Sequence, residues 1–221
     1  MKAKKALIAG ATGLVGNELL HILLEAKEYE SVTAIVRRPL SINHPKLNEV
    51  LVDFDQLDKY EEHMKVDDVF CCLGTTIKKA KTKEAMKRID ADYPLALARI
   101  TKKWGAKHYL LISSMNANPH SNIWYSQMKG RLEKDLSTIP FETISILRPS
   151  LLLGKRSEFR LGERLAATLF QAVSFLFVGP LLKVKAIEGR QVAQSMFEIA
   201  QKNRTGIMIY PSDQLQVRKR T

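Results

Sequence analysis

Three glycines spaced three residues apart limit how this chain can fold more than any other feature. They lie in the run GATGLVG at residues 10–16, between an apolar segment at residues 5–9 and a helical pattern that opens near Leu14. Glycine allows a sharp turn, a close approach of the backbone to a bound group, and tight packing of the helix on the strand. The free N–H groups at the start of such a helix attract phosphate. The run therefore predicts a diphosphate-binding turn with the contact residues Gly10, Thr12, Gly13, Leu14, Val15 and Gly16.

Short β-branched segments alternate with longer helical patterns along the first two thirds of the chain. This alternation is typical of an α/β fold in which crossover helices join the strands of a doubly wound parallel sheet, the Rossmann fold. The 221 residues fit a single NAD(P)-binding domain, residues 1–221, in which residues 151–221 form a small C-terminal cap on the substrate side. Strands are predicted at residues 5–9, 32–36, 50–54, 68–73, 108–113, 143–147 and 207–210, and helices at residues 14–27, 57–64, 83–104, 123–136, 159–177 and 187–201.

Charge and cysteine content bear on partners and compartment. The chain has 35 Lys and Arg against 23 Asp and Glu, a formal net charge of +12, so its surface attracts anions. Its two cysteines, Cys71 and Cys72, are adjacent and close no disulfide loop, which favours a reducing compartment. Residues 165–182 lack charge but contain Gly and Pro, which predicts a buried or membrane-touching helix rather than a membrane span. Because glycines also interrupt the would-be signal sequence, we expect a cytoplasmic protein whose membrane contact, if any, is peripheral.

Two arginines follow the second predicted strand. In dinucleotide-binding folds an acidic residue at this point, about 20 residues beyond the glycines, accepts from the adenosine 2′-hydroxyl. Here the strand ends with Ile35, Val36, Arg37 and Arg38, and no acid is present. Guanidinium groups match the geometry of the 2′-phosphate of NADP. We therefore predict NADP(H) as the cofactor, with NAD(H) less favoured; the alternative interpretation is a solvated basic loop.

Four further runs occur in a fixed order: CCLGTT at 71–76, LISS at 111–114, YSQMKGRLE at 125–133 and LRPSLLLG at 147–154. With the glycine run, they make the chain resemble the atypical short-chain dehydrogenase/reductases, and among these the oxidoreductases similar to the human HIV Tat-interacting protein. The resemblance implies that Ser114, Tyr125 and Lys129 are catalytic, with Ser113 as the alternative serine. It also implies cofactor contacts from Asp53, Phe54, Leu73, Gly74, Thr75, Pro149 and Ser150.

The chemistry of the Tyr/Lys pair supports this interpretation. Tyr125 and Lys129 are four residues apart in a helical pattern and so share a helix face. A nearby ammonium favours phenolate, so we expect the pKa of Tyr125 to be lowered towards the range for proton transfer. Ser114 would hold a substrate carbonyl, and the cofactor would supply hydride. In the family an asparagine supports a water relay, whereas the nearest residue here is Asp90, which in its ionised form accepts but does not donate.

The predicted function is therefore that of an NADPH-dependent oxidoreductase acting on the carbonyl or alcohol of a small, partly apolar substrate. The alternative is an NADPH-binding redox sensor or regulatory interaction protein with little turnover. The histidines show no metal-ligand spacing, so no metal is predicted. Basic clusters at 78–88 and 218–220 lack interleaved aromatics, which makes nucleic acid an unfavoured partner. The sequence leaves the oligomeric state open.

Overall fold

The computed structural model describes residues 3–154 and 185–215. A seven-stranded parallel sheet in the order β3-β2-β1-β4-β5-β6-β9 forms the centre of the molecule. A short parallel pair, β7 with β8, lies apart from it. The strands are β1 (Lys4–Ala9), β2 (Tyr29–Val36), β3 (Leu47–Leu51), β4 (Asp68–Cys71), β5 (His108–Ile112), β6 (Thr143–Arg148), β7 (Leu152–Leu153), β8 (Ile187–Glu188) and β9 (Gly206–Pro211).

Helices cover both faces of the sheet. Alternate residues of β1 show the two layers: Ala6 and Ile8 belong to one apolar cluster, and Leu7 and Ala9 to the other. The predicted doubly wound Rossmann fold is therefore confirmed. The helices are α1 (Leu14–Glu25), α2 (Ile77–Ala80), α3 (Lys83–Lys87), α4 (Tyr93–Lys103), α5 (Trp124–Leu136) and α6 (Gly189–Ala200), with 3-10 helices at Phe54–Met64 and Ser212–Leu215 and a π-helical turn at Arg88–Asp92.

The third strand ends earlier than predicted. The sequence predicts a strand at residues 50–54, but β3 ends at Leu51, and Asp53 is the N-cap of the following 3-10 helix. The Asp53 carboxylate accepts hydrogen bonds from the Asp55 N–H and from the Gln56 side-chain amide, both at 3.0 Å. This local capping ends the extended backbone before it reaches Phe54.

The single helix predicted at residues 83–104 is interrupted. The chain passes from α3 through the π-helical turn into α4, which has Pro94 in its first turn. Proline has no N–H, so the usual helical hydrogen bond to the carbonyl of Asp90, four residues earlier, is missing. Pro94 therefore explains why this helix changes its hydrogen-bonding pattern beside Asp90.

The described residues after position 184 add a helix and an edge strand to the central sheet. Helix α6 packs on α1, and β9 pairs in parallel with β6 at the edge of the sheet. The predicted helix at 159–177 and the apolar segment at 165–182 lie outside the described residues. In the two described stretches, no helix combines the length and apolarity needed to cross a bilayer. The capping role expected of residues 151–221 stays a prediction.

A polar network lies at the amino ends of the central strands, opposite the glycine turn. Buried Asp68 accepts from the Tyr29 hydroxyl at 2.6 Å and from the Lys4 ammonium at 3.0 Å. Nearby, the His108 Nε2 and the Ser145 hydroxyl are 2.8 Å apart. Burial, together with the charge of Lys4, lowers the pKa of His108 from 6.5 to about 4. The native protein therefore keeps this imidazole neutral where an unfolded chain would bind a proton.

We expect His108 to make the stability of the protein decrease at acidic pH. As the pH falls from 6.5 towards about 4, the unfolded chain takes up a proton on this imidazole before the native protein does. The free energy of unfolding therefore decreases over this range, by about 3 kcal/mol at most. In His108→Asn, which keeps a polar partner for Ser145 but does not titrate, this part of the acid sensitivity should disappear. Urea unfolding across this pH range measures it, with exposed His120→Asn as the control. Parallel pH profiles for wild type and His108→Asn would contradict the expectation.

Candidate functional site

Backbone contacts explain the three glycines of residues 10–16. Gly10 has a φ of +87°, and a Cβ there would lie 2.5 Å from the carbonyl oxygen of Cys72, just beyond β4. A Cβ on Gly16 would lie 2.1 Å from the Gly10 carbonyl oxygen. The Gly13 N–H donates to that same oxygen at 2.9 Å. Any side chain at position 10 or 16 would therefore push strand and helix apart.

The start of α1 has no side-chain cap within the described residues. Its N-cap, Gly13, provides no side-chain hydrogen bond, and the first turn contains no acidic residue. The first N–H groups of a helix have no acceptor within the helix, so those of Leu14 and Val15 are available to an anion. Val15 is buried, so only its backbone can serve this purpose. Thr12 is exposed beside the turn.

Arg37 and Arg38 follow β2 directly. Both side chains are exposed. Neither guanidinium forms an ion pair or hydrogen bond with the part of the chain that the structure describes. The pair therefore lies at the carboxyl edge of the sheet, next to the strand that carries the glycine turn, with its donors uncommitted.

The segment after the third strand contributes one exposed and one buried side chain. Asp53 is exposed and caps its helix. Phe54 is buried, and its ring centroid lies 5.3 Å from that of Tyr93. The side chain of Phe54 thus packs in the core, and the strand end expected at this pair is instead a helix start.

Leu73, Gly74 and Thr75 leave β4 and run alongside the π-helical turn. The Thr75 N–H donates to the Asp90 carboxylate at 2.7 Å. Asp90 is 1% exposed, and burial raises the pKa of its carboxyl although Lys129 and the Thr75 N–H oppose the rise. Asp90 therefore anchors the loop after β4.

Lys129 is a buried residue on α5. Its side chain is 2% exposed, and its ammonium donates to the backbone carbonyl of Asp90 at 3.3 Å. This is the carbonyl that Pro94 leaves without its usual helical donor. Burial lowers the pKa of Lys129, while the charges of Asp90, Cys71 and Glu133 raise it.

The expected lowering of the Tyr125 pKa is wrong for this structure. Burial, followed by the negative charge of Asp90, raises the pKa of the Tyr125 phenol instead. Lys129 lies one helical turn away, but its ammonium points to the Asp90 carbonyl. Within the described residues, the Tyr125 hydroxyl forms no hydrogen bond.

The two serines after β5 differ in their surroundings. Ser113 is 7% exposed, and its hydroxyl donates to the Glu133 carboxylate. Ser114 is only partly buried, and its hydroxyl has no hydrogen bond among the described side chains and backbone. The hydroxyl of Ser113 is therefore engaged inside the protein, whereas that of Ser114 is not engaged within the described residues.

Pro149 and Ser150 join the site to the C-terminal part of the chain. The Pro149 carbonyl accepts from the Met115 N–H at 3.1 Å, which ties this loop to the serine loop. The Ser150 hydroxyl donates to the Lys185 carbonyl and accepts from the Ser212 hydroxyl at 2.9 Å. The Ser150 hydroxyl is thus engaged in contacts with the C-terminal part of the chain.

Sequence reasoning missed Gly130 and Glu133. A Cβ on Gly130 would lie 2.2 Å from the backbone of Asn118 and Pro119, so this glycine lets the loop after Ser114 pack against α5. A glycine inside a helix, one residue after the lysine, was the available signal. Glu133 accepts from Ser113 and from Arg148, a contact between distant segments that no local pattern shows. No group of residues in the described stretches is arranged to hold a metal ion.

Comparison with known proteins places this geometry in a family. Residues 10–152 match the model of the NAD(P)H-binding family. Protein HTATIP2 from Rattus norvegicus is 40% identical over 174 residues, which cover 77% of this chain and 72% of that protein. The solved structure of MoeE5 in complex with UDP-glucuronic acid and NAD is 17% identical, with a TM-score of 0.72 over 93% of this chain and 75% of that chain, and so shares the fold.

The expectation of a cytoplasmic location is contradicted by a second group of relatives. Protein FMP52, mitochondrial, from Candida albicans is 34% identical over 206 residues, which cover 90% of this chain and 89% of that protein. Relatives from other fungi, Saccharomyces cerevisiae among them, have the same name. A lack of disulfide-forming cysteines is equally compatible with other reducing compartments, which is why composition could not reveal this.

The glycine turn, the parallel sheet and the identity to these relatives lead to one conclusion. The chain belongs to the NAD(P)H-binding family, as an atypical short-chain dehydrogenase/reductase similar to the Tat-interacting protein.

Proposed function

We propose that this protein is an NADPH-dependent oxidoreductase that reduces the carbonyl of a small, partly apolar substrate, with Ser114, Tyr125 and Lys129 as its proton-donating site. The observation that carries the proposal is the ammonium of Lys129, 2% exposed and one helical turn from Tyr125, at the edge of the sheet where the glycine turn lies. A solvated helix face would not bury a cation in this way.

The described residues fit a nicotinamide dinucleotide. The space that a Cβ would fill at Gly10 and Gly16 is taken by close backbone packing, and the uncapped start of α1 is free to receive a diphosphate. Arg37 and Arg38, uncommitted within the described chain, support the choice of NADPH through its 2′-phosphate. Leu73, Gly74, Thr75, Pro149 and Ser150 lie at the same carboxyl edge, which supports cofactor contacts there.

The chemistry follows from which groups hold protons. When bound, the nicotinamide supplies hydride to the substrate carbon. Tyr125 donates its proton to the carbonyl oxygen, and Ser114 holds that oxygen by a hydrogen bond. Because burial and Asp90 raise the pKa of Tyr125, the phenol keeps its proton at neutral pH, which suits a donor in reduction more than a base in oxidation.

A second candidate function is NADPH sensing with little turnover. The observation in its favour is the raised pKa of Tyr125, which is caused by burial of the phenol and then by the charge of the buried Asp90 carboxyl. A phenol that binds its proton tightly is a slow acid. NADPH consumption with a panel of aldehydes, ketones and quinones distinguishes the two functions, because a sensor binds NADPH but consumes none of it.

Gly16→Ala should abolish NADPH binding, because the added methyl would lie 2.1 Å from the Gly10 carbonyl oxygen and displace the start of α1. Calorimetric titration with NADPH measures the loss. The control is Gly105→Ala, at a φ of +94° with open space around it, which should cost about 1 kcal/mol of stability and leave binding unchanged. Wild-type affinity in Gly16→Ala would contradict the role of the turn.

Replacing both Arg37 and Arg38 by Ser should weaken NADPH binding by about tenfold or more and leave NADH binding unchanged, because only NADPH has the 2′-phosphate. Titrating each variant with both dinucleotides measures the effect. Exposed Arg204→Ser, on the loop before β9, is the matched control. Equal affinities of the wild-type protein for NADPH and NADH would refute the assignment.

Tyr125→Phe should reduce turnover by about 10² to 10⁴, because it removes the proton donor and leaves the ring in place. Its affinity for NADPH should equal that of the wild type. Consumption of NADPH with the best substrate of the panel gives the rate, and half-buried Tyr60→Phe on the 3-10 helix is the control. If Tyr125→Phe turned over at the wild-type rate, the proton would have to come from elsewhere.

A further inference from the structure

Glu133 is a buried carboxylate at the junction of three segments. It lies on α5, one turn after Lys129 and two turns after Tyr125, and is 5% exposed. One carboxylate oxygen accepts from the Ser113 hydroxyl. The Arg148 guanidinium binds the carboxylate in a fork, with Nε to Oε1 at 3.1 Å and Nη2 to Oε2 at 2.5 Å. Such forked, charge-assisted pairs fix geometry as well as charge.

Both partners of Glu133 are next to site residues in the sequence. Ser113 immediately precedes Ser114, and Arg148 ends β6 immediately before Pro149. The strand ends are also joined by the backbone, because the Ser113 N–H donates to the Leu147 carbonyl at 2.8 Å. One carboxylate therefore connects the serine loop, the loop after β6 and the helix that carries Tyr125 and Lys129.

We propose that Glu133 is the positioning residue of this site: through Ser113 and Arg148 it holds Ser114 and the Pro149 loop in register with Tyr125 and Lys129. The inference rests on the proposed function, because it assigns Glu133 a role in the same reaction. It touches neither substrate nor cofactor and acts through its neighbours.

The charge of Glu133 adds a second effect. Three groups raise the pKa of Lys129 against the lowering effect of burial: Asp90 on the π-helical turn, Cys71 on β4, and Glu133 on its own helix. Arg148, from β6, is the cation that faces Glu133. Replacing Glu133 by an amide would remove one of the charges that raise the pKa of Lys129 and would leave the Arg148 guanidinium without its charged partner.

The experiment compares Glu133→Gln with Ser113→Ala and with Asp135→Asn, an exposed residue on the same helix. In Glu133→Gln we expect kcat to fall about tenfold or more and the Kd for NADPH to stay within about twofold. We also expect the alkaline limb of the plot of kcat against pH, where Lys129 loses its proton, to move to lower pH. Ser113→Ala should lower kcat without moving the alkaline limb, since the charge of the Glu133 carboxylate remains. Asp135→Asn should change none of these.

Several results would overturn the proposal. If folded Glu133→Gln kept its kcat, or lost it without a shift of the alkaline limb, Glu133 would not position the site in this way. If Glu133→Gln did not fold, Ser113→Ala would decide: a reduced kcat with an unchanged Kd supports the proposal, and wild-type kcat refutes it.

Failure of the proposed function is recognised separately. If the wild-type protein turns over no member of the panel, the titration of Lys129 by ¹³C NMR, assigned from Lys129→Met, still tests the charge effect. A lower pKa for Lys129 in Glu133→Gln supports the role of Glu133, and an unchanged pKa refutes it whatever the fate of the reductase assignment.

Discussion

The contact between the start of α1 and the end of β1 is the constraint on which the rest of the structure depends. Gly16 lies so close to Gly10 that a Cβ on Gly16 would be 2.1 Å from the Gly10 carbonyl oxygen. In the same way, a Cβ on Gly10 would be 2.5 Å from the carbonyl oxygen of Cys72. These contacts fix helix, central strand and neighbouring strand against one another. The arginine pair on one side and the Thr75–Asp90 hydrogen bond on the other take their positions from this centre.

The electrostatics of the site follow from burial. Burial lowers the pKa of Lys129 and raises that of Asp90, so it drives each group towards its neutral form. Each of the two charges opposes the shift of the other. The protonation of Lys129 thus depends on a balance among a few buried neighbours, and small changes in their charge or distance carry large effects in a medium of low dielectric constant.

Local patterns in the sequence predicted much of this fold. The glycine turn, the order of strands and helices, and the Arg37–Arg38 pair all follow from residues that are close together along the chain. The end of the third strand was misplaced because a side-chain cap by Asp53 overrode strand propensity. The break in the helix at residues 83–104 was signalled by Pro94, but the contact that the Asp90 carbonyl makes with Lys129 needs the folded chain.

The rest of the site depends on contacts between distant residues. The resemblance implied Ser114 and left Ser113 as the alternative, and only the folded chain shows that Ser113 is engaged by the Glu133 carboxylate. The predicted sign of the Tyr125 pKa shift was wrong because the four-residue spacing to Lys129 shows neither the burial of the phenol nor the charge of Asp90, which lies on another element. Composition also could not reveal the location of the protein, and the mitochondrial names of its relatives contradict the expected cytoplasmic location.

The place of β9 in the sheet has a consequence for biosynthesis. This strand pairs with β6, yet 57 positions separate Arg148 from Gly206 along the chain. As the polypeptide leaves the ribosome, β6 has one edge unpaired until the last described strand is made. Pairings between such distant segments form slowly, and an exposed strand edge invites association with other chains. Between the synthesis of β6 and that of β9, a nascent chain of this protein therefore exposes a strand edge at which other chains can associate.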